Sequence, residues 1–376
     1  MKLNDMYKIT KSPGEIKEII KKIITISGFN QSIYLEGASG IGKSEMVIQL
    51  AKELEAELID IRLGNLDTID LNGIGIPDLK NKKAIWTRPE FFPPENCDKK
   101  YLIFLDEFNH ASEQVFGAAY QLVLERRMGT HILPKNVLVI GAGNSIDDKG
   151  IAFSMPSPLV NRFMKINVEA NINDWLKYAE QNNIHWKILG FLKYQPEFLH
   201  KFDGTSSEDN FPTPRNWVKL NPFSEYFDDF EFMEVILNSL FGMSVMLQFK
   251  EYLKIIKDIP QLEEILVGNL NDFKTLNDLN SSYAFFMLVK NYLKNNKEIL
   301  TNQNFLNLFK FNNIQPNQEV MQLLNLEIIS FINNELQEKQ KVELQYLIYE
   351  DKNNDMNVNK EYIKKIREFK DSIITK

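Results

Sequence analysis

The stretch GASGIGKSE, residues 37–45, decides how the chain is read. Gly37, Gly42, Lys43 and Ser44 satisfy the spacing G-x-x-x-x-G-K-[ST] of a phosphate-binding loop. The apolar run SIYLEG (32–37) leads in as a strand, and Met46, Val47, Leu50, Ala51 and Leu54 lead out at helical spacing. Glycines let backbone N–H groups turn inward, and the helix N-terminus adds partial positive charge, so strand, turn and helix together cradle phosphate. Gly37, Ala38, Ser39, Gly40, Ile41, Gly42, Lys43, Ser44 and Glu45 are thus the expected nucleotide-binding residues. Lys43 is expected to reach the β/γ oxygens and Ser44 to ligate Mg2+. Alone, the stretch says that phosphate can be held, not whether it is cut.

The next apolar run outward, KYLIFLDE (100–107), ends on two acids. Asp106 is expected to hold magnesium with Ser44, and Glu107 to orient and deprotonate an attacking water. A third run, NVLVIGAGN (136–144), ends on Asn144. In an open parallel sheet ligands lie beyond the carboxyl ends of the strands, so Asn144 can join the same site. Before a turn, asparagine is also a common turn residue. With AELIDIRLG (56–64) and MKINV (164–168), five apolar runs alternate with helical ones. That pattern implies an α/β fold: a parallel five-stranded sheet with helices on both faces, a three-layer core. Ser12, Pro13 and Glu15 open the first helix, which ends near Gly28.

At 376 residues two or three domains are expected. The pattern divides at about 1–168 (α/β core), 169–265 (helical lid) and 266–376 (further helical region). Forty-four basic against 51 acidic residues give a net charge of −7, which argues against a nucleic-acid binder that works by bulk charge. Cys97 is the one cysteine, so no intramolecular disulfide forms, and His110, His131, His185 and His200 do not make a zinc-finger pattern. No signal peptide is apparent, and the expected compartment is the cytoplasm. Residues 232–249, FMEVILNSLFGMSVMLQF, are interrupted by Glu234, Asn238 and Gln248, and read as a buried helix rather than a membrane span.

Taken together, GASGIGKS, LIFLDEFN, VIGAGN, MPSPLVNRF (155–163) and FPTPRNW (211–217) resemble the AAA+ ATPases, in their MoxR-type and dynein-related branch, over about residues 15–220. The resemblance implies a P-loop AAA+ core followed by a helical lid, with ATP and Mg2+ as cofactors. It matches residues 37–44, Asp106 and Glu107 to the Walker elements and Asn144 to sensor 1. Arg162 matches the arginine finger that enters a neighbouring subunit's site, and Arg215 the sensor 2 arginine. A finger of this kind is worth about 10³ to 10⁵ in rate. Each arginine also has an ordinary surface reading. The resemblance further implies a ring of copies of the chain, expected to be a hexamer, and a protein client or von Willebrand factor A domain protein as partner.

Arg126 resembles a helix-end interface arginine of the family, and a salt-bridged helix end explains it equally well. His110 stands where the family often has arginine. In residues 67–95, where AAA+ proteins place substrate-facing loops, exposed Trp86, Phe91 or Phe92 could grip a polypeptide; pinning the loop to the core is the favoured reading. The leading function is a Mg-dependent ATPase that remodels or activates a protein partner. The alternatives are a nucleotide switch or scaffold without significant turnover, and a nucleic-acid-processing motor subunit. The client, ring size, ATP-versus-GTP preference and role of 266–376 are not legible in the sequence.

Overall fold

The computed structural model describes residues 9–95, 97–144, 162–201, 210–257, 259–269, 276–297, 299–335, 340 and 344. Of the motif MPSPLVNRF, residues 155–161 lie outside the described residues. The strands are β1 (Thr10–Lys11), β2 (Ser32–Glu36), β3 (Glu57–Arg62), β4 (Gly75–Asp78), β5 (Lys83–Trp86), β6 (Tyr101–Asp106), β7 (Arg127–Met128), β8 (His131–Ile132), β9 (Val137–Gly143) and β10 (Met164–Val168). Helices α1 (Pro13–Ser27), α2 (Lys43–Glu53), α3 (Thr68–Asn72), α4 (Glu113–Glu125), α5 (Ile172–Gln181), α6 (Trp186–Tyr194) and α7 (Pro214–Leu220) precede the larger run of helices.

Two compact units result: one of 1–181, 197–220 and 239–242, the other of 182–196, 221–238 and 243–376. The first unit carries a six-stranded, all-parallel sheet in the order β1-β10-β2-β9-β6-β3. Five of these strands are the expected ones. The sixth, β1, is two residues long, too short for a periodic signal, and is defined only by pairing with Asn167 and Val168.

Central strands β2, β6 and β9 are buried almost throughout, as parallel strands covered on both faces must be. Their side chains alternate between two cores. Ile33, Leu35, Leu102, Phe104, Leu138 and Ile140 meet α1 and α2 through Ile16, Ile20, Met46, Val47 and Leu50. Tyr34, Ile103, Leu105, Val137 and Val139 meet α4 through Val115, Ala119, Leu122 and Val123. The α1 cap is the expected one: Ser12 Oγ accepts from Glu15 N and Glu15 answers to Ser12 N.

In the second unit α6 packs against the helix Leu279–Asn295, and Phe191 meets Phe249 and Tyr252 edge-on with centroids 5.0 and 5.4 Å away. The single helix expected over 232–249 is corrected. The chain there forms two helices, Phe230–Phe241 and Met243–Ile256, separated by Gly242 at φ 81°, a left-handed position that ends a helix. Among the described residues no helix is long and apolar enough to cross a membrane.

Candidate nucleotide site

Strand β2 delivers the chain to the loop and α2 begins at Lys43, so the loop closes on a helix N-terminus. Gly40 and Gly42 hold φ of 74° and 98°, conformations that favour glycine. Gly37 is needed for space: a Cβ there would lie 2.6 Å from both the Ile41 side chain and the Val168 carbonyl.

Lys43 is buried, unusual for lysine, and its ammonium is satisfied by oxygen. Nζ donates to Gly37 O at 2.7 Å, Ala38 O at 2.8 Å and Asn144 Oδ1 at 3.1 Å. Ser44 Oγ donates to Asp106 Oδ2 at 2.7 Å, joining the start of α2 to the end of β6. A hydroxyl and a carboxylate held together beside an inward-facing lysine are hard oxygen donors of the kind that suit a partly hydrated magnesium ion. The donor set therefore fits the implied phosphate and cation.

Glu107 follows in the left-handed region, φ 54°, an uncommon place for a non-glycine residue and a local strain of about 1–3 kcal/mol. Its carboxylate lies against the turn after β3, where a Cβ on Gly64 would come within 3.3 Å of Oε2. Asn144 ends β9, the strand between β2 and β6, which is why its carboxamide reaches Lys43.

Around these residues opens a cleft of about 740 Å³, whose lining includes Lys43, Ser44, Asp106, Glu107, Asn144 and Arg215. Arg215 is held at the rim by α7. Trp217 is fully buried, donates Nε1 to Phe198 O at 2.8 Å and lies with its ring centroid 4.2 Å from that of Phe241. Arg215 N donates to Gly40 O at 3.2 Å, tying α7 to the loop itself. The opposite wall was not singled out from the sequence. Asp174 accepts from Gly14 N at 2.7 Å, which fixes α5 on α1 and puts Trp175 and Tyr178 on the cleft. Burial and the neighbouring Glu45 carboxylate push the Tyr178 phenol up, so it stays a neutral donor. No motif marks these positions; they face the cleft because α5 follows β10 closely.

Arg162 is exposed just before β10 and is not among the cleft-lining residues. Arg126, half-buried and left-handed at the end of α4, donates to the carbonyls of Pro134 and Val137 of its own chain, and burial lowers its pKa. His110 N donates to Glu107 O at 2.8 Å. Of the loop aromatics, Phe92 is buried and Phe91 packs on the same core, whereas Trp86 on the β4–β5 hairpin is 43% exposed. The loop is therefore pinned at its end by Phe91 and Phe92, while Trp86, paired with Gly75 at the base of the hairpin, stays partly exposed.

Residues 32–163 match the model of the AAA domain, dynein-related subfamily. This part of the chain is an AAA domain. Domains of this class bind nucleotide and are in general ATPases. Among solved structures, Hsp104 with ATPγS and casein is 17% identical, covering 61% of this chain and 47% of that one, TM-score 0.41. The RuvB Holliday junction branch migration motor of Thermotoga maritima is 15% identical, covering 72% and 80%, TM-score 0.35. A candidate ATPase from Cytophaga hutchinsonii is 17% identical, covering 63% and 79%, TM-score 0.34.

Proposed function

We propose that this protein is a MoxR-like AAA+ ATPase that hydrolyses ATP with Mg2+ as part of a ring of its own copies, and uses the cycle to remodel or activate a protein partner. The observation that carries the reading is the meeting of Lys43, Ser44, Asp106, Glu107, Asn144 and Arg215 on one cleft. Magnesium, when bound, would neutralise developing charge on the phosphates. The chain's own residues do the rest. The loop N–H groups and Lys43 hold the triphosphate, and Ser44 and Asp106 hold the cation. Glu107 orients water and takes its proton, and Asn144 and Arg215 fix the terminal phosphate.

Arg162, exposed and outside its own cleft, is free to act on a neighbour's, as an arginine finger does. The domain division that accompanies this reading is core 1–168, lid 169–265 and a helical region 266–376. A cytoplasmic location and a von Willebrand factor A domain partner complete it.

Calorimetric titration with ATP tests the reading. Binding is expected in magnesium, weaker in EDTA, and lost in Lys43→Ala. ATP binding by Lys43→Ala equal to wild type would contradict it.

A further inference from the structure

Asn144 does not hold itself in place. Its backbone is gripped at both ends by one side chain: Asn109 Nδ2 donates to Asn144 O at 2.8 Å, and Asn144 N donates to Asn109 Oδ1 at 3.2 Å. Asn109 is 4% exposed, and these two bonds use its carboxamide in both roles. It sits on the short turn Phe108–His110 after β6, pinned by Phe108, whose ring meets Tyr34, Phe116 and Phe163 with centroids 5.9, 5.1 and 5.5 Å away.

The room for Asn109 comes from Gly143. A Cβ at that position would lie 2.7 Å from Asn109 Oδ1 and 2.0 Å from the Tyr34 hydroxyl. Strands β6 and β9 are ladder partners only up to Leu105 and Gly141, so beyond the ladder Asn109 continues the cross-strand pairing by side chain. The free end of Asn144, Oδ1, is thereby turned to Lys43 Nζ.

We infer that Asn109 is a positioning residue for turnover: it fixes the Asn144 backbone so that the Asn144 carboxamide stands at the phosphate end of the cleft beside Lys43. The inference rests on the proposed ATPase reading of that cleft. Asn109 itself touches no nucleotide and acts through Asn144. A role in folding alone would cost stability and activity whether or not residue 144 is asparagine. Positioning works only while Asn144 is there to be positioned.

A double-mutant cycle reads this. Asn109→Ala is expected to lower kcat for ATP by roughly tenfold to a hundredfold, as an ångström-scale misplacement does, with the Kd for Mg·ATP changed much less. In an Asn144→Ala background the same substitution is expected to change kcat by less than about twofold, within the usual additivity error. The isosteric Asn109→Asp, which keeps the acceptor but loses the donor to Asn144 O, serves if the alanine variant does not fold, and is expected to behave alike. Independent, multiplying losses in the two backgrounds would overturn the inference. If wild type binds ATP without turning it over, the hydrolysis reading fails, and the cycle is read in Kd, where non-additivity supports positioning and additivity refutes it. If wild type binds no ATP, both fall together.

Discussion

Lys43 shows how far a residue type and its spacing reach. Its place in the loop is readable because glycines one and six residues before it leave few other uses for a lysine at a helix start. The same holds for Asp106, which meets Ser44 at 2.7 Å. Asn109 is the opposite case. It sits beside the acidic pair in the sequence, and its bonding to Asn144, 35 positions on, depends on β6 and β9 being neighbours and on a missing side chain at Gly143. Gly143→Ala is expected to cost about 1–3 kcal/mol through overpacking against Tyr34, as measured by urea unfolding. An unchanged unfolding midpoint would mean that the Tyr34 ring yields freely.

Among the elements, those with strong periods or caps were legible: α1 with its Ser12–Glu15 box, α2, and the three central strands. Elements defined by pairing alone were not. β1 has two residues, and the β4–β5 hairpin forms inside a stretch whose prolines and glycines read as irregular chain. The break at Gly242 was hidden by the apolar residues on either side.

Helix α6 makes a prediction about pH. His185 caps it, its Nδ1 accepting from Lys187 N at 3.2 Å, and burial, with the nearby Lys187 charge, pushes its pKa down to about 4. A depressed histidine pKa means that the unfolded chain takes up the proton first. Its contribution to stability is therefore present above the unfolded value of about 6.5 and is lost as pH falls toward 4. The loss should be on the order of 2 kcal/mol. Chemical denaturation between pH 7 and 4 should show it, and His185→Asn, which keeps a cap, should flatten the slope. An equally steep slope in that variant would assign the pH dependence to other groups.

For the whole molecule, the cleft collects residues from 13 to 219 of the chain, all within the first compact unit. Arg162 stands outside that cleft, and its proposed role requires a second copy. Turnover per subunit is therefore expected to rise with protein concentration through the assembly range. Arg162→Ala should abolish that rise and leave ATP binding intact. Turnover that stays flat with concentration in the wild type would rule out a site shared between subunits.

The most direct test lies in the carboxylate beside Asp106. Glu107→Gln keeps the shape of the side chain and removes its capacity to take a proton, so ATP bound in magnesium should be held and not cut. In a single-turnover measurement with radiolabelled ATP, the wild type is expected to release phosphate and Glu107→Gln to do so about 10²-fold or more slowly, with ATP still bound. Phosphate release by Glu107→Gln at the wild-type rate would contradict this expectation.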